Sequence, residues 1–383
     1  MKIFFSLIKR EFKLFTGNRI MVMLYIGGPV IYGLMFGAVY TKGKLTDLPI
    51  MVVDKDNSPM STKFIDMLND IDVLKVKEVK YESADMQKIF VGDNIYAAVV
   101  IPKGFEADVV QKKHPEINTY INNTNLLPSG YVTRSISTAA GNLNAAAILK
   151  SGKQYEALHL NTFRLYNPAS NYFMYIWPSY LAIILQAVVM VVLALSVTSE
   201  YERNSLTELY IKSGSALGMM AAKIVHYSLI SAIILAIYGA YFYLFKQRLP
   251  SQLGQAIFIS ALFIASISFM GMIGGLLFKT QLKAIQFLMI LSMPAYMASG
   301  FSWPYNHYGF GAKLFGAIFP IMPFINGFRI LLIEHGTLND IKDYLTLQVL
   351  QLVFYFLLAW IILIFKIKEL LKPIKEDLEN TQQ

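Results

Sequence analysis

The chain has 383 residues, 55% hydrophobic and 15% charged, with no cysteine. Soluble domains carry about 25% charged residues. This balance, with a mean hydropathy of +0.46, therefore excludes an ordinary soluble globule and points to a polytopic membrane protein. The formal charge of +9 clusters beside apolar runs, as the positive-inside rule expects, and does not signal a nucleic-acid partner.

Residues 1–19 contain "KIFFSLIKREFKLFTG". Phe4, Leu7, Ile8, Phe12, Leu14 and Phe15 recur there at near-helical spacing among Lys2, Lys9, Arg10, Glu11 and Lys13. The pattern predicts an amphipathic interfacial helix on the cytoplasmic membrane surface. Residues 20–40 form the first span. Their apolar run is too long for a signal-peptide core, and no small-residue cleavage pattern follows it.

Residues 41–172 regain charge and alternate between two kinds of segment. "LPIMVVD", "VLKVKEV", "IYAAVVIP" and "EINTYIN" read as strands. "SPMSTKFIDMLND", "SADMQKIFVG" and "GFEADVVQKK" read as helices, with Ser58 and Ser83 as N-caps and Pro59 at a first helical position. This rhythm predicts an inserted α/β domain. A longer helix rich in small residues follows, "SGYVTRSISTAAGNLNAAAILKSG". Asp54 and Asp56 read as a capped turn rather than a catalytic pair of carboxylates.

Residues 173–383 are expected to hold spans two to six, near 175–197, 224–244, 256–278, 285–299 and 345–365. Gly271 and Gly275 predict close helix packing. Tyr172, Tyr175, Trp177 and Tyr180 read as an interfacial aromatic belt. Region 300–340 is apolar but broken by Gly and Pro, which suits re-entrant or interfacial helices. With six spans, the amino-terminal basic residues, Arg203, Lys212, Lys223, Lys279, Lys283 and the basic tail share one side. That side is the cytoplasm, and the α/β insert is then extracytoplasmic. Lys246 and Arg248 run mildly against this assignment.

The cores of these spans contain no Asp, Glu, Lys or Arg, whereas proton-coupled transporters rely on such groups. His226, near a span end, reads as interfacial. The five histidines show no metal-ligand spacing. No G-x-x-x-x-G-K-[ST] phosphate loop is present either. If ATP supplies the energy, a separate ATPase must push on a cytoplasmic feature. The charged, helix-like segment 199–214 is the candidate.

Several motifs converge on one family. They are "VVDKDNSPMSTKFIDML" with Asp54, Asp56, Ser58 and Ser61, and "YAAVVIPKGFEADV" with Ile101, Pro102, Gly104 and Phe105. Next come "YNPASNYFMYIWPSYLA" with Asn167, Pro168 and Pro178, then "SGFSWP". Last is "PIMPFINGFR" with Pro320 and Arg329, followed by Gly336. In this order they resemble the permease subunits of ABC-2 type export systems, in the branch with a large extracytoplasmic domain between the first two spans. The family's E-x-E-x-G-T-x-E-x-L coupling segment falls on Glu200, Glu202, Asn204, Ser205, Thr207 and Leu209. Asn204 stands where the family has glycine and Ser205 where it has threonine. Thr207 stands where it has glutamate, with Glu208 beside it. Asn tolerates the left-handed backbone such a turn needs.

The resemblance implies a polytopic α-helical membrane protein. It would have six transmembrane helices, an amino-terminal interfacial helix and an inserted extracytoplasmic (periplasmic) α/β domain. It implies a bacterial inner-membrane location with both termini cytoplasmic, and a permease working as a homodimer or heterodimer. A cytoplasmic ABC ATPase, holding ATP and Mg, would drive it through Glu200, Glu202, Arg203, Asn204, Ser205 and Leu209. A periplasmic adaptor is a further candidate partner, besides the lipid membrane. Candidates for the translocation path or outer gate are Tyr180, Phe301, Trp303, Pro304 and Arg329. The chain itself would hold no cofactor, no metal and no catalytic site. Composition leaves two other classes open: a non-transporting scaffold whose outer domain binds a partner, and a channel or secondary transporter.

Overall fold

The computed structural model describes residues 2–40, 45–81, 95–111, 113, 115–122, 126–151, 171–301, 303 and 305–381. The expected helix "SADMQKIFVG" with Ser83, and Asn167, Pro168, Pro304, His114 and His159, lie outside these residues. The chain divides into two units. One is Lys44–Phe163, and the other combines Met1–Gly43 with Arg164–Gln383.

The smaller unit is built on four strands: β1 (Leu48–Asp54), β2 (Leu74–Lys80), β3 (Ala97–Ile101) and β4 (Asn118–Ile121). Their order is β2-β1-β3-β4, with β1 parallel to both neighbours and β4 antiparallel to β3. The two central strands are the apolar ones, "LPIMVVD" and "AAVVI", because only they are covered on both faces. Edge strand β2 carries Lys75, Lys77 and Lys80, which discourages pairing with other chains. Helix α3 (Pro59–Asn69) contributes Phe64 and Leu68 to the core, and α5 (Leu126–Ser151) contributes Val132, Ile136, Ala139 and Leu143.

The acidic motif in this unit is a lock. Asp54 ends β1, and its Oδ1 accepts the backbone N–H groups of Asp56 and Asn57, each at 3.0 Å. Its Oδ2 accepts the Ser61 hydroxyl at 2.7 Å. Ser58 and Ser61 cap α3 reciprocally, as a capping box does. Asp56 reaches across to α4 (Phe105–Val110) and accepts N–H from Gly104 at 2.7 Å and Glu106 at 2.9 Å. Gly104 has φ +83°, a conformation that a side chain would strain. The D-x-D-x-S-x-x-S and I-P-x-G-F motifs are thus two halves of one structure. The two carboxylates serve architecture, as the turn reading expects.

In the larger unit, α1 (Lys2–Gly17) precedes α2 (Arg19–Tyr40), which contains one π turn at Met23–Gly27. Then come α6 (Tyr172–Glu202), α7 (Leu206–Ser213), α8 (Ala216–Leu244), α9 (Leu253–Leu277), α10 (Gln281–Met297), α11 (Phe310–Ile318), α12 (Ile321–Ile333) and α13 (Lys342–Thr381). Five helices are long and apolar enough to cross a bilayer: α2, α6, α8, α9 and α13. The α11–α12 pair, bent by 87°, would make a sixth span if it crosses as one. Helix α10 lies where the fifth span was expected. Its 17 residues extend roughly 25 Å. The bend follows from Pro320, which disfavours helix in the residue before it. Phe319 is accordingly extended.

Helix α6 is the axis of this unit, since most of its apolar length is buried. Helix α9 meshes with it at the predicted glycines. A Cβ on Gly271 would lie 2.5 Å from the Met190 carbonyl oxygen, and one on Gly275 would lie 2.8 Å from that of Ala194. No larger residue fits either position without moving the α6 backbone.

Two expectations are corrected here. Trp177 does not face outward as a belt residue would: it is fully buried, and its indole N–H donates to the Gly33 carbonyl at 3.2 Å. His226 does not face outward either. It is buried against Phe12, Phe15 and Tyr227. Both follow from α2 and α1 covering faces that the sequence leaves bare.

Candidate functional site

Segment 199–214 is not one helix. Helix α6 runs through it to Glu202, the chain turns at 203–205, and α7 begins at Leu206. Asn204 makes the turn at φ +52°, the left-handed region that Asn enters more readily than most residues. Leu206 and Leu209 seat α7 on the bundle, and Gly214 at φ +71° ends it. The outward face holds Arg203, Asn204, Glu208, Ile211 and Lys212. Ile211 is 69% exposed, and Glu208 pairs with Lys212 one turn on. That pairing holds the Glu208 carboxyl below its ordinary range.

The two glutamates expected to meet an ATPase face inward or are already engaged. Glu200 is 1% exposed. Arg10 of α1 grips it through two nitrogens, at 2.7 and 2.8 Å. Lys223 of α8 donates to it at 3.3 Å, and the Ser205 hydroxyl donates to it across the turn. Lys223, 2% exposed, also donates to both carboxylate oxygens of Glu11 at 3.0 Å. Ser196 bonds to both Glu11 and Lys223. Four charges, two of each sign, therefore meet and neutralise one another, with Glu11, Glu200 and Lys223 buried and Arg10 partly exposed. Burial opposes the charge on Arg10, but the bond to Glu200 outweighs it and raises the guanidinium's pKa.

Glu202 is exposed at the surface but spent on α10. Its Oε1 accepts the Gln281 backbone N–H at 2.9 Å, and its other oxygen accepts the Gln281 amide. A carboxylate at a helix amino terminus satisfies free N–H groups and suits the helix dipole. The turn is therefore bound to α1 and α8 through Glu200, and to α10 through Glu202.

The sequence reading missed Arg10, Glu11, Ser196 and Lys223. A signal for Glu11 was present: Leu7, Glu11 and Phe15 recur every four residues, so all three lie on one buried face of α1. Lys223 was placed in a loop before the third span. Helix α8 starts seven residues earlier, capped by Ser215, so Lys223 is two turns inside it. The charged residues Lys223 and Arg329 lie in helices outside the span cores expected from the sequence.

A second cluster lies at the other end of α6. Tyr175 donates its hydroxyl to the Phe301 carbonyl at 3.0 Å. Tyr180 stacks on Phe36 at 4.4 Å and lies 5.8 Å from Phe301, which stacks on Tyr296 at 4.7 Å. Arg329 lies over the Tyr175 ring at 4.4 Å. Tyr180, Phe301 and Arg329 therefore gather with Tyr175, whereas Trp303 is 57% exposed. Pro304 is outside the described residues. Among the described residues no cluster of metal-ligating side chains occurs.

Comparison with known families matches residues 19–361 to the ABC-2 family transporter proteins. The chain belongs to the ABC-2 transporter family. It is a multi-pass membrane component of an ABC transporter, and membership implies association with an ABC ATPase subunit. A search of curated proteins found no match. The matched stretch contains the whole α6–α7 turn and Lys223, and it starts just after α1, which supplies Arg10 and Glu11 to the network.

Proposed function

We propose that this ABC-2 chain is the permease of an ATP-driven exporter and receives force at the α6–α7 turn. Two copies, identical or not, would enclose the path, with Tyr180 and Phe301 near its outer end. ATP and Mg would bind to the partner ATPases. In this reading the turn, both termini and the basic loops are cytoplasmic, and the membrane is a bacterial inner membrane. The α/β unit is then extracytoplasmic and available to an adaptor. Lysine and arginine distribution supports the orientation.

One observation carries the reading. The turn is clamped from within by Glu200 and Glu202, while Arg203, Asn204 and Ile211 face outward. A push on that outward face would be passed through ionic contacts to α1 and α8 and through hydrogen bonds to α10. The docking surface is thus the basic and apolar face of the turn, and the two glutamates act behind it.

The cysteine-free sequence makes a direct test simple. Ile211→Cys, the chain's single thiol, is crosslinked in membranes and its partner identified by mass spectrometry. The expected product is an ABC ATPase, and Arg203→Glu should abolish it. A scaffold that transports nothing would give no ATPase adduct, and that result would sink the proposal.

A further inference from the structure

The guanidinium of Arg329 is only half satisfied. Its face is taken by the Tyr175 ring, but Nε and Nη2 are buried with no partner. Among the described residues it has no ion-pair partner either. Buried N–H donors on a cation are costly when unpaired, most of all in an apolar helix bundle. An unsatisfied buried donor in a native fold calls for a missing acceptor.

The space beside it indicates what kind of acceptor. A gap of about 10 Å³ is lined by Arg329, Tyr175 and Ser179, enough for one water-sized atom such as a carboxylate oxygen. Pro178, Ala182, Phe324 and Phe328 line this gap and also a larger cavity of about 120 Å³. The larger cavity lies between α6, α8, α9 and α12. Its walls are almost wholly apolar, including Leu181, Leu235 and Phe242. One cationic seat with two free donors thus adjoins one apolar slot, sharing four wall residues, within a single chain.

We propose that this pair of spaces binds an anionic amphiphile, with its oxygen head on Arg329 and the first carbons of one hydrocarbon tail in the slot between α6, α8, α9 and α12. A fatty acid is the simplest such molecule. An anionic membrane lipid offers the same chemistry, an acidic head on an apolar chain. The proposal does not rest on coupling to an ATPase, because binding needs neither ATP nor a partner subunit.

The test uses the full chain in detergent micelles, with radiolabelled dodecanoate as the probe and dodecanol as the uncharged control. The native chain should bind dodecanoate at least tenfold more tightly than dodecanol. Arg329→Gln removes the charge-assisted bonds. It should weaken dodecanoate by roughly tenfold or more and leave dodecanol unchanged. Arg329→Lys should restore part of the preference. Gly239 lines the slot, and a Cβ there meets nothing within 4 Å. Gly239→Leu should therefore fill the slot without disturbing α8 and weaken both probes. Native mass spectrometry then separates the two sources. Retained phosphatidylglycerol that dodecanoate displaces would identify a membrane lipid, and its absence would identify a free acid. Equal binding of the two probes, or dodecanoate binding unmoved by both Arg329→Gln and Gly239→Leu, would overturn the proposal.

Discussion

Two regions of this chain hold a turn with carboxylates, and they do it in opposite ways. In the α/β unit, Asp54 and Asp56 accept only neutral donors: backbone N–H groups and a serine hydroxyl. At the end of α6, Glu200 and Glu11 are matched by full charges on Arg10 and Lys223. Both regions use an asparagine in the left-handed conformation, Asn57 at φ +50° and Asn204 at φ +52°. The backbone device is the same and the electrostatics differ. The donors to Asp54 come from residues close in sequence, and those to Asp56 from α4 of the same unit, so the acidic turn assembles within the α/β unit. The charged network joins helices separated by up to 212 positions. It forms only when the bundle does, and it makes each helix depend on the others.

The sharpest way to break this contrast is Lys223→Met. It leaves two buried carboxylates facing one arginine. Losing one member of a buried ionic set costs roughly 3–5 kcal/mol. Thermal melting of the purified full chain should fall steeply. Adding Glu11→Gln removes the matching negative charge and should recover much of the loss. A double variant no better than the single one would show that packing, not charge balance, holds this region.

Asp54→Ala should cost less, about 2 kcal/mol, because it strands neutral donors rather than an ion. Its signature is local: amide exchange at Asp56 and Asn57 should speed up, while Lys223→Met leaves those amides unchanged. If both substitutions loosened both regions, the contrast between local and distributed turns would fail.

The smallest effect is acidic. Partial burial pushes the Asp56 carboxyl up, but donated bonds from Ser58 and the N–H groups of Glu106 and Gly104 outweigh it and hold the pKa below its ordinary value. A group depressed in the folded state stabilises that state fully above its unfolded pKa, about 4. The contribution is lost as pH falls through the folded value. Amide exchange at Gly104 and Glu106, corrected for intrinsic rate, should lose protection below about pH 4. In Asp56→Asn that pH dependence should vanish.

Much of the fold was legible in the sequence because it is written in short-range patterns. Ser58, Pro59 and Ser61 spell a helix start. "LPIMVVD" and "IYAAVVIP" read as strands by their apolar character, and Gly271 and Gly275 mark a close helix contact. The candidate site was legible only in outline. Segment 199–214 could be located, but the direction each glutamate faces depends on Arg10 and Lys223, which no local pattern ties to Glu200. Trp177 was misplaced for the same reason, since its partner is Gly33, 144 positions away. The charge on Arg329 was visible in the sequence. That its edge donors would be buried beside Tyr175 was not.

The glycine seam between α6 and α9 bears on how such a molecule can work. At Met190 and Ala194 the backbone of one helix occupies the space where side chains of the other would stand. No intervening layer of side chains can shear there, so the two helices behave as a single shaft. Met190 lies about 15 Å along α6 from Glu200. Under the proposed coupling, a stroke delivered at the α6–α7 turn would carry α9 with it, and a route through the membrane would open along the other seams.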